Sequence, residues 1–201
     1  MCCQEPGRAF VLNKERWVAC KGSQPRYRGY PCSVWTLFHA ITVNAEQIER
    51  RNSMFDPKEV PVLMNAYIQQ FFGCRECANN FGKGARRISS DVNGRTDAIL
   101  WLWKSHNRAN HWLHNDPTED PEQAKIQFPS YKACALCRRA RSYSMFDNAT
   151  VWDEAQVLQY LTHFYAKSYI KHDTSTGGWW SLSLTGCHCV SFVSVMFRRR
   201  E

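Results

Sequence analysis

The sequence has almost none of the alternating apolar and polar patterning that predicts half-buried β-strands, which argues against a sheet-based fold. Ten glycines and eight prolines among 201 residues are too few for a collagen-like or low-complexity chain. No internal repeat is visible, and no Gly-x-Gly-x-x-Gly motif follows a predicted strand. These absences exclude a solenoid and a Rossmann-type nucleotide site, and they leave a helical globular protein.

Basic residues are in excess, but they form no long stripe that would indicate a nucleic-acid-binding surface. The net charge is +8 and the sequence pI is about 9.0. The basic clusters are short, as in Arg86-Arg87 and Arg138-Arg139. We therefore expect a solvated basic surface and no nucleic-acid partner.

Helices are predicted from apolar spacing and from capping residues. Asp56-Pro57 supplies an N-cap followed by proline at the first helical position. Thr96 or Asp97 caps the segment with the strongest helical pattern. The predicted helices are 33–51, one from 57 towards 72, a short one from about 74, 98–114 and about 152–164. The predicted fold class is all-α, a helix bundle.

Ten cysteines are too many to be incidental in a chain of this size, and four of them form two C-x-x-C motifs, Cys74–Cys77 and Cys134–Cys137. A structural zinc site would need both motifs to meet around one ion, and residues 78–133 separate them. A thioredoxin-like motif would need a βαβ context, which the pattern lacks. Two interpretations stay open: a redox-active dithiol on a helical scaffold, and a zinc-binding interaction module with ligands drawn also from His106, His111 and His114.

The flanks of the first C-x-x-C motif favour redox chemistry. Cys74 follows Phe71-Phe72-Gly73 and opens a predicted helix, and Arg75 is next to it. The free N–H groups and partial positive charge of a helix N-terminus stabilise a thiolate. A dithiol that passes two electrons on to oxygen ordinarily needs a flavin or a metal.

Two helical stripes mix indole, imidazole and amide side chains, unlike an ordinary aliphatic core face. Trp35 and His39 are four residues apart on the first helix, so they are neighbours on its surface. On the fourth helix the stripe consists of Trp103, His106, Asn107 and Asn110. Such stripes suit a planar, hydrogen-bonding cofactor; the alternative is a buried aromatic core with satisfied polar side chains.

Four segments carry a resemblance to a known family. They are 17–23 (Trp-Val-Ala-Cys-Lys-Gly-Ser), 28–39 (Arg-Gly-Tyr-Pro-Cys-Ser-Val-Trp-Thr-Leu-Phe-His), 72–77 (Phe-Gly-Cys-Arg-Glu-Cys) and 100–110 (Leu-Trp-Leu-Trp-Lys-Ser-His-Asn-Arg-Ala-Asn). In this order and spacing they closely resemble the Erv/ALR sulfhydryl oxidase domain of the quiescin sulfhydryl oxidase family. The resemblance extends over about residues 17–164.

The resemblance implies a four-helix bundle with a short fifth helix that binds FAD at the mouth of the bundle. It implies that Cys74–Cys77 is the redox-active disulfide, with Cys74 exchanging with incoming thiols and Cys77 next to the flavin. The cofactor-binding positions that it implies are Arg28, Trp35, His39, Glu76, Asn80, Trp103, His106, Asn107, Asn110, Lys125 and Phe128. It also implies two structural disulfides, Cys20–Cys32 and Cys134–Cys137, and no metal site.

Two of these positions depart from the family pattern. Asn80 occupies a position where the family usually has histidine, and asparagine can donate a hydrogen bond but cannot titrate near neutral pH. Phe128 occupies a position where the family often has tryptophan, so an N–H donor is lost while stacking area is kept. Neither change affects the cysteine chemistry.

The function implied by the resemblance is an FAD-dependent thiol oxidase. Such an enzyme makes disulfides in thiol-containing proteins or small dithiols and reduces O2 to hydrogen peroxide. In the family, thioredoxin-like domains deliver electrons to the flavin domain. Neither a Trp-Cys-Gly-x-Cys motif nor a βαβ pattern occurs in these 201 residues, so we expect either a fragment of a longer oxidase or a stand-alone flavin domain, with the thioredoxin-like electron donor outside these residues. A homodimer is a further candidate assembly.

The expected organisation is an irregular segment 1–16, the oxidase domain 17–170 and a tail 171–201. Within the tail, 179–197 is largely apolar and Arg198-Arg199-Arg200 follows it. This pattern predicts either a C-terminal membrane anchor or an incidental apolar stretch. The first six residues lack the pattern of a signal peptide, whereas the resemblance implies the secretory pathway, in the Golgi or ER lumen or outside the cell.

Overall fold

The fold consists of helices joined by short connections. The computed structural model describes residues 20–139 and 151–169. Within these ranges the helices are α1 Gly29–Ile48, α2 Glu59–Phe71, α3 Arg75–Ala85, α4 Ile88–Asp91, α5 Asp97–Leu113 and α6 Glu154–Phe164. Two short 3-10 turns, Ala135–Cys137 and Lys167–Tyr169, flank α6 in sequence. The prediction of an all-α fold is confirmed, and the four-residue α4 was not predicted.

The first helix begins four residues earlier than the sequence pattern predicts. Arg28 precedes it with a positive φ of 61°, and Pro31 lies in the first turn, where proline removes no helical hydrogen bond. At the other end, Arg95 donates hydrogen bonds to the carbonyls of Glu49 and Asn52, the latter at 3.1 Å. These contacts satisfy carbonyl groups in the chain that leaves α1.

The second helix begins later than Asp56-Pro57 suggests. The Asp56 carboxylate accepts a hydrogen bond from the backbone N–H of Lys58 at 2.9 Å, which is a local turn rather than a helix cap. The helix starts at Glu59, and the buried Pro61 lies in its first turn. An aspartate followed by proline is therefore a turn here, with the helix opening directly after it.

The bundle consists of α1, α2, α3 and α5, whose inner faces share one hydrophobic core. Its buried side chains come from all four helices and include Val34, Phe38, Met64, Ile68, Ala78, Trp101 and Leu102. A second core joins α6 to α1 and α5 through Val43, Ile99, Trp103, Trp152, Val157 and Leu161. The predicted four-helix bundle with a further helix packed against it is confirmed.

No β-strand occurs in 20–139 or 151–169, where one isolated bridge pairs Arg138 with Trp152. None of the helices in these two ranges is both long enough and apolar enough to span a membrane. The predicted anchor, 179–197, and the irregular segment 1–16 lie outside the described residues.

Candidate active site

A disulfide joins Cys74 to Cys77 at the start of α3, with Cα atoms 5.3 Å apart. Cys74 is the N-cap of this helix, and its Sγ accepts a hydrogen bond from the backbone N–H of Cys77 at 3.2 Å. Both cysteines are exposed. The motif predicted to be redox-active is therefore an accessible disulfide at a helix N-terminus, where a thiolate released from it is stabilised.

The start of α3 is fixed against the bundle one turn beyond the disulfide. Ala78 is fully buried, and its carbonyl accepts a hydrogen bond from the Gln69 side chain at 2.7 Å. Phe81 packs against Trp35 with ring centroids 6.0 Å apart and makes an edge contact with Trp101 at 5.8 Å. These contacts place the helix that carries the disulfide directly against Trp35 of α1.

Two imidazoles meet between α1 and α5. His39 Nε2 and His106 Nδ1 are 3.1 Å apart, within hydrogen-bond distance. The His106 ring stacks on Trp35 with centroids 4.3 Å apart and planes 2° from parallel. The sequence placed these residues on two separate stripes, and the fold joins the stripes through this pair.

Burial keeps both imidazoles neutral. Burial first, and then the neighbouring His106, hold the pKa of His39 well below its ordinary value. Burial, together with the nearby Lys125 cation, lowers the pKa of His106 to about 4. In the neutral pair one ring donates its N–H to the other ring's nitrogen, so the pair forms its own hydrogen bond without a charge.

One nitrogen of this pair has no protein partner. His39 is fully buried, and its Nδ1 forms no hydrogen bond. A buried polar atom without a partner is costly, and it is ordinarily satisfied by water or by a bound group. The site therefore has the character of a place for a polar ligand rather than of a closed protein core.

Three predicted cofactor-binding side chains hold the segment around Phe128. The Phe128 carbonyl accepts hydrogen bonds from Trp103 Nε1 at 2.5 Å and from Asn107 Nδ2 at 2.8 Å. Asn110 Nδ2 donates to the carbonyl of Ile126 at 2.9 Å. These polar groups anchor the 126–128 segment to α5, and through it they fix the ring of Phe128.

Two predicted cations lie at the connection between α5 and this segment. Arg28 Nη1 donates to the Gln123 side chain at 2.8 Å, and its Nη2 lies 3.8 Å from Cys32 Sγ. Lys125 is close enough to His106 to lower the pKa of that imidazole. Cations beside flat aromatic and imidazole rings suit a ligand with both phosphates and planar ring systems.

The two remaining predicted cofactor positions are on α3. Glu76 lies exposed in the first turn of the helix. The Asn80 side-chain oxygen accepts a hydrogen bond from Lys83 Nζ at 3.0 Å, one turn along the same helix. Asn80 immediately precedes Phe81, so it lies between the disulfide and the aromatic contact with Trp35.

The other cysteines of the described ranges form two further disulfides, Cys20–Cys32 and Cys134–Cys137. Each C-x-x-C motif is thus closed on itself, and the two motifs do not meet around one ion. No cluster of three or more His, Cys, Asp or Glu side chains in 20–139 and 151–169 could hold a metal. The geometry gives no support to the zinc-binding alternative.

Comparison with known proteins places this arrangement in a family. Residues 32–129 match the family model described as the Erv1 / Alr family. The chain contains an Erv1 / Alr domain. The matched residues run from α1 to the residue after Phe128, so they include the disulfide and the His39–His106 pair.

The relatives of the Erv1 / Alr domain include sulfhydryl oxidases. The chain is 38% identical over 172 residues to sulfhydryl oxidase 1 of Pongo abelii, covering 85% of this chain and 22% of that protein. It is 36% identical over 180 residues to human sulfhydryl oxidase 2, covering 84% of this chain and 25% of that protein. The chain therefore spans no more than a quarter of the length of these relatives.

A solved structure has the same fold. The sulfhydryl oxidase fragment of human QSOX1 superposes with a TM-score of 0.67 at 38% sequence identity. The match covers 78% of this chain and 60% of that fragment. The predicted resemblance to the Erv/ALR domain of quiescin sulfhydryl oxidases is confirmed.

The structure adds one site residue that the sequence reasoning missed. Tyr165, directly after α6, stacks on His39 with ring centroids 4.9 Å apart and planes 12° from parallel. It lies outside the residues that match the Erv1 / Alr model. No spacing rule connects α6 to α1, so only the folded chain shows this contact.

Proposed function

We propose that the chain is a flavin-dependent thiol oxidase, which makes disulfide bonds in thiol substrates and reduces O2 to hydrogen peroxide. The observation that carries the proposal is the exposed Cys74–Cys77 disulfide, which begins a helix packed against Trp35 and the imidazole pair. The sulfhydryl oxidase relatives and the Erv1 / Alr domain support it.

The residues of the site fit an FAD. Trp35 and Phe128 offer flat aromatic faces, His39 Nδ1 is a buried nitrogen without a partner, and Arg28 and Lys125 supply positive charge for the phosphates. Bound there, the flavin would take two electrons from a dithiol and transfer them to O2. Trp103, Asn107 and Asn110 would support this site by fixing the 126–128 segment.

The cysteines carry out the thiol exchange. A substrate thiolate attacks Cys74 Sγ, a new mixed disulfide forms, and the Cys74–Cys77 bond breaks with Cys77 leaving as a thiolate. A second substrate thiolate then attacks the mixed disulfide, which releases the oxidised substrate and leaves Cys74 reduced. Two electrons have moved from the substrate dithiol to the cysteine pair, and the protons lost by the substrate pass to the pair or to solvent.

The position of Cys77 favours this direction of exchange. It lies in the first turn of α3, where the positive end of the helix dipole stabilises the charge of a leaving thiolate. Cys74 is the N-cap and is exposed to solvent, so an incoming thiolate can approach it. The assignment of Cys74 as the interchange sulfur and Cys77 as the sulfur next to the flavin is part of the proposal.

The wider setting is proposed from the sequence pattern and the family resemblance rather than from the site. We include in the proposal the oxidase domain 17–170, thiol-containing proteins or small dithiols as substrates, and a thioredoxin-like domain as electron donor. A secretory-pathway location, a homodimer and a membrane anchor at 179–197 belong to the same proposal.

The deciding experiment combines a spectrum with an oxygen electrode. The purified 201-residue chain is expected to be yellow, with the visible absorbance of an oxidised flavin, and to consume oxygen when dithiothreitol is added. Hydrogen peroxide should accumulate in step with the oxygen consumed and the dithiol oxidised. A folded, colourless preparation that carries zinc and consumes no oxygen would contradict the proposal and favour the zinc-binding module.

A further inference from the structure

The His39–His106 pair is enclosed by two aromatic rings, one on each side. Trp35 stacks on His106 at 4.3 Å, and Tyr165 stacks on His39 at 4.9 Å. The two imidazoles are joined at 3.1 Å. Three helices therefore meet at one four-ring assembly, with α1 and α5 contributing the imidazoles and the residue after α6 closing the far side.

Tyr165 is held in place by hydrogen bonds to the chain around it, in addition to ring contacts with Phe164 and Phe128. Asn44, on α1, donates from Nδ2 to the Tyr165 carbonyl at 2.9 Å and to the Ala40 carbonyl at 2.7 Å. The Asn44 side-chain oxygen accepts a hydrogen bond from the backbone N–H of Lys167 at 2.9 Å. One amide on α1 thus fixes the chain on both sides of Ala166 and sets the position of the Tyr165 ring over His39.

We propose that Tyr165 is a positioning residue of the cofactor site, which fixes the plane of His39 so that its Nδ1 faces the bound FAD. The inference rests on the proposed function, because it assumes that FAD occupies the site. Tyr165 acts through His39, and Asn44 acts through Tyr165.

The orientation of His39 needs a second support because its Nδ1 has no hydrogen-bond partner in the protein. The imidazole is fully buried, with Nε2 engaged by His106 and Nδ1 without a partner. The hydrogen bond at Nε2 by itself leaves the imidazole plane some freedom to tilt about that contact. A flat ring parallel to it within 12° removes this freedom, so the orientation of Nδ1 is set before the cofactor binds.

The main variants are Tyr165→Leu, which keeps apolar bulk but removes the flat face, and Tyr165→Phe, which keeps the ring. FAD is titrated into the apo-protein and its dissociation constant is measured by fluorescence. We expect Tyr165→Leu to weaken FAD binding about tenfold, as loss of a stacking contact in a preorganised site would. Tyr165→Phe should bind FAD within about twofold of the wild-type chain.

A second variant and a control distinguish positioning from general damage to the fold. Asn44→Ala releases the Tyr165 backbone without touching either imidazole and should weaken FAD binding in the same direction. Phe55→Ala removes a ring that packs on Arg95, with the guanidinium 4.8 Å from the ring centroid, and should lower the melting temperature without changing the FAD dissociation constant.

Each outcome separates this inference from the proposal on which it rests. Failure of the wild-type chain to bind FAD would contradict the proposed function itself. Wild-type binding with an unchanged dissociation constant in Tyr165→Leu would overturn the role of Tyr165 alone. Equal weakening in Tyr165→Leu and Tyr165→Phe would also overturn it, because the ring would then not be the part that matters. If Tyr165→Leu does not fold, Asn44→Ala decides: unchanged FAD binding there overturns the inference.

Discussion

Asn107 and Phe128 are joined by two reciprocal hydrogen bonds. The amide oxygen of Asn107 accepts from the backbone N–H of Phe128 at 2.8 Å, and its Nδ2 donates to the Phe128 carbonyl at 2.8 Å. A neighbouring backbone strand would make the same pair of hydrogen bonds to Phe128. Here the side-chain amide of Asn107 makes them instead. The connection after α5 is therefore fixed where it passes the candidate cofactor site.

The first prediction tests this pair with an isosteric change. Asn107→Asp keeps the oxygen that accepts from Phe128 but replaces the donor with a second acceptor, which faces the Phe128 carbonyl. Because Asn107 is buried, we expect a loss of at least about 2 kcal/mol in the free energy of unfolding, measured with urea. Asn110→Asp makes the same change at the exposed contact with Ile126 and should cost less. Equal losses would show that burial does not matter here.

Most of the fold could be predicted because the helices follow local rules. The fourth predicted helix, 98–114, agrees with α5 to within one residue at each end. The agreement is close because Thr96 and Asp97 indicate where the helix begins. The predicted start of α2 is less accurate, because an aspartate followed by proline is typical both of a turn and of a helix N-cap. A helix of four residues, Ile88–Asp91, is too short to show any periodicity, so α4 could not be predicted.

The candidate site could be predicted only in part, for a different reason. Trp35 and His39 share a stripe on one helix, and the unusual residue types made that stripe visible. The partners of Asn107 and Trp103 are backbone groups of Phe128, which no side-chain pattern indicates. Tyr165 reaches the site through Asn44, 121 positions away in sequence, and such contacts depend on how the helices pack.

The second prediction concerns the Cys74–Cys77 disulfide. Cys74→Ser and Cys77→Ser should each reduce oxygen consumption with dithiothreitol to background, because a single sulfur cannot alternate between dithiol and disulfide. FAD content, measured from the visible spectrum after gel filtration, should stay near that of the wild-type chain. Turnover above a few per cent in either variant would show that these cysteines are not the redox pair.

The third prediction uses the other C-x-x-C motif as a matched control. Cys137 is fully buried against Trp152 and Val157, whereas Cys77 is exposed. The double variant Cys134→Ser/Cys137→Ser should therefore keep most of its dithiol turnover and lose about 2 kcal/mol of stability, through loss of the cross-link and burial of a hydroxyl. Loss of turnover at unchanged FAD content would instead assign a redox role to this pair.

The fourth prediction concerns the Cys20–Cys32 disulfide, which closes a short loop with a sequence separation of 12. Within that loop, the Ser23 hydroxyl and backbone N–H donate to the Asp120 carboxylate at 2.6 and 2.8 Å. Cys20→Ser/Cys32→Ser should lower the free energy of unfolding by about 3 kcal/mol, the loop-closure value for a loop of this size.

A companion variant tests whether the loop acts through Asp120. Asp120→Asn keeps the size of the side chain but removes the charge and one of the acceptors for Ser23. It should lower the unfolding midpoint in the wild-type background and change it little when the Cys20–Cys32 disulfide is absent. Additive losses in the combined variant would show that the disulfide and the Ser23 contacts act independently.

The last relationship to be tested is the pH response of the imidazole pair. In the unfolded chain a histidine has a pKa of about 6.5, whereas burial and Lys125 lower the pKa of His106 to about 4 in the fold. The pKa of His39, which faces His106 and Tyr165, is also lowered. Between these values the unfolded chain binds more protons than the folded chain, so protonation favours unfolding.

Stability from this pair should therefore be fully present above about pH 6.5 and should fall as the pH decreases towards about 4. The measurement is the urea midpoint of the FAD-free chain at several pH values across that window. Carboxylates also titrate there, so the informative quantity is a difference between chains. His106→Gln is neutral throughout and should show a shallower fall than the wild-type chain, and His39→Gln/His106→Gln a shallower fall still. Parallel curves for all three chains would contradict this prediction. They would show that the folded protein accepts a protonated imidazole at this site as readily as the unfolded chain does.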